Sequence, residues 1–144
     1  MSAAAAACPL CEQPGGVPVW HGERLRVVRV DDTPDHPAFY RVIWNAHVAE
    51  LSELGAGDLQ HCMGTVVTVE RVMREQLRPT KVNLATLGNM VPHLHWHVIA
   101  RFDWDTHFPS PVWAPSVRAP EPARLLALKA RLPALDAAVQ RALA

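Results

Sequence analysis

Apolar positions recur along this chain with two different spacings. Val17 to Trp20, Leu25 to Val30 and Phe39 to Trp44 are short runs rich in valine and aromatic residues. Pro14-Gly15-Gly16 precedes the first, and the polar stretch Asp31-Asp32-Thr33-Pro34-Asp35-His36-Pro37 separates the second from the third. Such runs, punctuated by turn residues, predict strands joined by short connections and so paired antiparallel. From Asp58 the spacing changes. Leu59, Cys62, Met63, Val66, Val69, Met73 and Leu77 fall along one helical stripe, with Asp58 as the expected N-cap and Pro79 just past the end. Val82 to Leu87 and His93 to Arg101 return to strand-like composition across Gly88-Asn89. Phe108 to Pro122 is proline-rich and predicted irregular, and Leu125 to Ala144 reads as helix, broken or restarted at Pro133. The pattern predicts an α+β fold: an antiparallel sheet, one long helix and a C-terminal helical tail. Residues 1–144 are expected to form a single domain, with 109–144 as a proline-rich and helical extension.

Composition narrows the functions this fold can serve. The chain has 144 residues, 49% of them apolar and 19% charged, which suits a folded domain with a core. Its 14 Lys+Arg balance its 14 Asp+Glu. That argues against a nucleic-acid partner bound through a broad basic field, and leaves room for a small anion in a local pocket. No apolar run reaches the length of a membrane span. Met1-Ser2 and the alanines from Ala3 to Ala7 supply neither the basic nor the long apolar region of a signal peptide. The expected location is cytoplasmic. The three cysteines are then expected as thiols or metal ligands, not as a disulfide framework.

Candidate chemistry concentrates in one strand. His93, His95 and His97 alternate with Leu94, Trp96 and Val98, so the imidazoles share a face and the apolar side chains share the other. Same-face neighbours lie about 6.5–7 Å apart. A row of imidazoles is costly to bury without partners. It can serve a metal, handle a phosphate, or form a satisfied polar face. Cys8-x-x-Cys11 supplies half of a tetrahedral metal site or a redox pair. Cys62 falls on the apolar stripe of the long helix and is expected in the core. His21, His36, His61 and His107 show no pattern and are expected at the surface or in loops.

His93-Leu94-His95-Trp96-His97-Val98-Ile99 resembles the signature of the histidine triad family of nucleotide hydrolases and transferases. Phe39-Tyr40-Arg41-Val42-Ile43-Trp44-Asn45-Ala46-His47-Val48 resembles that family's strand-plus-histidine segment, and Val30-Asp31 its ribose-binding acid and the preceding residue. Asn83, Gly88 and Asn89 fall near the family's polar positions upstream of the triad. Cys8-Pro9-Leu10-Cys11 resembles its zinc-binding branch. The resemblance covers residues 8 to about 101. It departs at Trp44-Asn45, where many members carry Pro-Lys, and at Met90, where many carry Ser or Thr.

The resemblance implies a hydrolase of nucleoside phosphate derivatives, such as a dinucleoside polyphosphate or a nucleoside phosphoramidate, with an adenylyl compound as the expected substrate. His95 would attack the α-phosphorus, forming a covalent nucleotidyl-histidine that water resolves to a nucleoside monophosphate. His97, Asn89 and the backbone around Gly88 would donate to phosphate oxygens, Asn83 would fix phosphate or ribose, and Asp31 would accept the ribose hydroxyls. Cys8, Cys11, His47 and His93 would hold one structural zinc per chain. A homodimer with a continuous sheet is implied, and the tail with Val112-Trp113 would set substrate choice. Two alternatives share these residues: a nucleotidyltransferase using the same histidine, and a zinc-stabilised nucleotide-binding module with incidental turnover.

Overall fold

A computed structural model describes residues 7–144. The reading of the first residues as a poor signal peptide rests largely on 1–6, outside the described residues. One helical turn, α1 (Pro9–Glu12), leads into β1 (Val17–His21), β2 (Leu25–Arg29) and β3 (Phe39–Trp44). The long helix α2 (Ala56–Leu77) follows, then β4 (Lys81–Ala85), β5 (His95–Arg101) and two helices, α3 (Pro122–Ala130) and α4 (Leu132–Leu143). The five strands form one sheet in the order β1-β2-β3-β5-β4, and every neighbouring pair is antiparallel. This is the expected α+β architecture. No helix among the described residues is long and apolar enough to cross a membrane.

The register separates two faces with different fates. Val27, Val42 and Val98 point to one side with Tyr40, Trp44 and Leu94, against Cys62, Val66, Val69 and Met73 of α2 and Leu135 and Val139 of α4. That face is the core, and Cys62 lies inside it as the stripe predicted. On the other side the pairings Val28↔Arg41, Arg26↔Ile43, Arg41↔His97 and Ile43↔His95 line up a mixed apolar and polar surface. Directly opposed residues share a face in an antiparallel pair, so Arg41, His95 and His97 lie together on the side away from the long helix.

Several element boundaries moved from their expected places, each for a physical reason. Gly55, not Asp58, is the N-cap of α2. Asp58 sits in the first helical turn, where a carboxylate still complements the unpaired N–H groups, and it is paired with Arg24. Pro79 follows the left-handed C-cap Arg78 (φ 49°). Strand β4 ends at Ala85 and not at Leu87; Thr86 leaves the ladder and donates its hydroxyl to the His95 carbonyl at 2.7 Å. Strand β5 starts at His95 and not at His93, because the His93 N–H turns back to the Val91 carbonyl at 2.8 Å. The tail is two helices starting at Pro122, with the break at Arg131 and Pro133 in the first turn of the second. Its docking is polar as well as apolar: Asp136 of α4 accepts from Arg29 and from the Tyr40 hydroxyl.

Candidate functional site

Two clips cover the ends of the non-core face and leave its middle open. At one end, Cys8 and Leu10 from the α1 segment pack on Val28 and Ile43. Arg26 staples that segment down, with its guanidinium donating to the carbonyls of Leu10, Gln13 and Pro14 and to the Asn45 side chain. At the other end, Val112 of the irregular segment packs on Val30, Phe39 and Ile99. Between the clips lie Arg41, His95 and His97.

The first clip also assembles a thiol–imidazole cluster. The Cys8 and Cys11 sulfurs and the nearest ring nitrogens of His47 and His93 all lie within 4.8 Å of one another. Cys8 Sγ is 3.4 Å from His93 Nδ1, Cys11 Sγ is 3.4 Å from His47 Nδ1, and Cys11 Sγ is 3.6 Å from His93 Nδ1. A tetrahedral zinc with Zn–S near 2.3 Å and Zn–N near 2.0–2.1 Å puts its sulfur and nitrogen ligands about 3.5 Å apart. The donor set therefore fits a four-coordinate Cys2His2 metal site. The tautomer agrees. His93 Nε2 lies 2.5 Å from the Trp44 carbonyl, which can only accept, so Nε2 carries the proton and Nδ1 presents its lone pair to the cluster. Cys8 and His93 are buried, whereas Cys11 lies at the surface. All three cysteines are thiols.

The cluster connects directly to His95. His95 Nδ1 lies 2.5 Å from the carbonyl of His93. That contact needs a proton on Nδ1, which leaves the lone pair on Nε2. Burial favours the neutral ring and pushes the His95 pKa down, against the hydrogen bond to His93 and with the help of Arg41. His97 is pushed further, to about 4, by burial first and then by His95 and Arg41. The two rings meet edge to face at 4.9 Å, and His97 also contacts Phe39 and Trp113. Nδ1 of His97 is sealed without a partner, so Nε2 is the ring nitrogen left for a ligand. Both side chains are buried yet reach cavity walls.

Two cavities meet here. A larger one of about 470 Å³ runs from His95 and Arg41 past Val91 to Asp31 and Asp32, under the Gly15-Gly16 turn. A smaller one of about 400 Å³ continues from His95 and Arg41 past His97 to Gly88, Asn89 and Trp113. Gly88 has φ 76°, a conformation glycine adopts without cost and other residues resist. Asp31 thus lines the larger cavity, Gly88, Asn89 and His97 the smaller, and His95 both. His47 and His93 stand behind them with the two cysteines.

Asn83 lies elsewhere. It faces the same side as His97, but its Oδ1 accepts from Arg101 at 2.8 Å, and it lines neither cavity that reaches His95. Arg101 is itself buried, with Nε donating to Asp105 at 2.8 Å. Burial raises the Asp105 pKa, but Arg101 and the N–H groups of His107, Phe102 and Phe108 outweigh it and bring it to about 2. His36 and His107 belong to this network, with ring nitrogens 2.9 Å apart. His36 lies in a loop, as expected, but that loop buries it. Its loop is closed over by the Asp105–Phe108 turn, which local sequence does not announce. The network anchors the segment that carries Trp113 over His97.

Alternate imidazoles on the open face of an antiparallel sheet, backed by a Cys2His2 cluster, define a histidine triad architecture. The chain belongs to the HIT domain family, whose profile matches residues 20–104. In structure it is similar to a histidine triad protein from Bradyrhizobium japonicum, with 24% identity over 89% of this chain and 90% of that one and a TM-score of 0.71. It is also similar to a hypothetical histidine triad nucleotide-binding protein from Sulfolobus tokodaii, with 18% identity over 92% and 91% of the two chains and a TM-score of 0.64. A third similar structure is a zinc-bound histidine triad family protein from Mycobacterium smegmatis, with 20% identity over 93% and 99% and a TM-score of 0.58. No curated protein matches the chain in sequence.

Sequence reasoning missed Arg41 and Thr86. The signal for Arg41 was available: it is the one charge in the otherwise apolar and aromatic run from Phe39 to Trp44.

Proposed function

We propose that this chain hydrolyses nucleoside phosphate derivatives through a covalent nucleotidyl-histidine on His95. The observation that carries the reading is the lone pair of His95 Nε2, set by the Nδ1 contact to the His93 carbonyl at the place where the two cavities join. The nucleoside occupies the larger cavity with its ribose hydroxyls donating to Asp31. The leaving group occupies the smaller one, beside His97 and Trp113. His95 Nε2 forms a bond to the α-phosphorus as the bond from phosphorus to the leaving group breaks, and the leaving group departs with that bond's electron pair and takes a proton from solvent. Water then attacks the same phosphorus, restoring His95 and releasing the nucleoside monophosphate. His97 Nε2, Asn89 and the Gly88-Asn89 backbone donate to the non-bridging oxygens. In this reading Asn83 acts at one remove, by holding Arg101.

Cys8, Cys11, His47 and His93 hold one zinc, a structural ion that ties the α1 segment to the start of β5 and orients the carbonyl on which His95 depends. The zinc-bound relative and the ligand geometry support this. The nucleotide-binding relative supports the substrate class. We further propose one domain with a C-terminal extension at 109–144, cytoplasmic, assembled as a homodimer through the free edge of β4.

Adenylyl compounds differing only in the leaving group test the reading by AMP release. Turnover of a dinucleoside polyphosphate or a phosphoramidate in water alone supports hydrolysis. A rate that appears only with added phosphate acceptor assigns a transferase, and AMP binding without turnover above background assigns a binding module.

A further inference from the structure

Three arginines, Arg26, Arg41 and Arg101, share the face of the sheet away from the long helix; Arg101 is committed to Asp105 and Asn83, and the other two are used differently. Arg26 gives all three of its guanidinium nitrogens to protein acceptors. Arg41, one strand further in, makes a single hydrogen bond among the described residues, from Nη1 to the Gly15 carbonyl at 2.7 Å. Its Nε is buried without any partner. The arginine ion pairs among the described residues belong to Arg24, Arg29, Arg101 and Arg124; Arg41 forms none, and the carboxylate that acts on it, Asp32, does so from across the larger cavity without contact. A half-buried guanidinium with unmet donors and no contact ion pair is costly, unless an anion completes it. Its position says which anion. Arg41, Val91 and His95 are the residues that line both cavities, and of these only Arg41 carries charge. It opposes His97 in the strand register.

We propose that Arg41 is a phosphate-binding residue, its guanidinium holding a non-bridging oxygen of the phosphate that His95 attacks. The inference rests on the reading of His95 as nucleophile, and it names the cation that the site otherwise lacks. Trp44-Asn45 offers no basic side chain. A planar fork suits a phosphate held in one orientation. The bond to Gly15 fixes that fork. Gly15 has φ 89°, and a Cβ there would lie 2.8 Å from the Leu10 side chain, so the turn is set by the same segment that carries the two cysteines.

The test is AMP binding by calorimetry to wild type, Arg41→Gln and Arg41→Lys, with zinc content and melting temperature measured on each. Arg41→Gln should weaken AMP at least tenfold with zinc and melting unchanged, and Arg41→Lys should recover part of that loss. AMP affinity within twofold of wild type in Arg41→Gln overturns the proposal. So does a loss of affinity matched by loss of zinc or melting temperature in both variants, which would make Arg41 only the staple of the Gly15 turn. Binding needs no turnover. A wild-type protein that binds AMP but hydrolyses nothing defeats the nucleophile and leaves Arg41 standing.

Discussion

His95 and His97 are chemically distinct although two residues apart. One ring has its proton committed to a backbone carbonyl and its other nitrogen at the cavity junction. The other is wedged among His95, Phe39 and Trp113 with one nitrogen sealed. His97 should therefore leave a mark on stability. Its folded pKa of about 4 lies below the ordinary 6.5, so between those values the unfolded chain binds a proton that the folded chain refuses. Above pH 6.5 both states are neutral and no penalty exists. Below it, wild type should lose stability relative to His97→Gln, by roughly 1 kcal/mol per pH unit until about pH 4. Parallel melting curves of the two proteins across pH 4.5–7.5 check this. The groups facing His97 that could distort the result, His95 and Arg41, are common to both. Asp31 makes a different prediction. Asp31→Ala should weaken AMP about tenfold, roughly 1.4 kcal/mol, and leave a 2′,3′-dideoxy analogue nearly unaffected. Equal losses by calorimetry would place Asp31 away from the ribose.

At the scale of elements, the site is the product of two clips and a strand. The strand was legible because period-two alternation is a strong signal, and Leu94 and Val98 reached the core as it required. Cys8 and Cys11 were legible as half a metal site from their Cys-x-x-Cys spacing, whereas His47 and His93 were named only through the resemblance to the family's zinc-binding branch. The clips were not legible. Trp113 lies in a proline-rich stretch with no periodicity, so nothing local says that it ends against His97. The Arg101–Asp105 pair looks in sequence like a strand end followed by a turn. Only the fold shows that it is buried and that it recruits Asn83, His36 and His107. Arg41 was readable as a lone charge but not interpretable, since its role depends on which carboxylates fail to reach it. The first clip can be cut at one atom. Cys8→Ser should lower zinc to well below one per chain and lower the melting temperature, because metal bound only by the folded state contributes to folding. It should also slow turnover by loosening the His93 carbonyl behind His95. Elemental analysis with a melting curve decides the matter, and unchanged values for both would remove zinc from the account.

For the whole molecule, the long helix and the C-terminal helices bury one face of the sheet so that the other can be spent on polar chemistry. The centre of that second face is where the two cavities converge on Arg41 and His95. A covalent intermediate is the claim on which this arrangement stands or falls. The most direct measurement is the intact mass of the protein, quenched under alkaline denaturing conditions during turnover of an adenylyl substrate, for wild type and His95→Asn. Wild type should carry one acid-labile adenylyl group. His95→Asn should carry none, still bind AMP, and turn over several orders of magnitude more slowly, as loss of a nucleophile does. If His95→Asn hydrolyses the substrate within about tenfold of wild type, a single lost phosphate contact would explain more than the whole effect, and the histidine nucleophile would be contradicted.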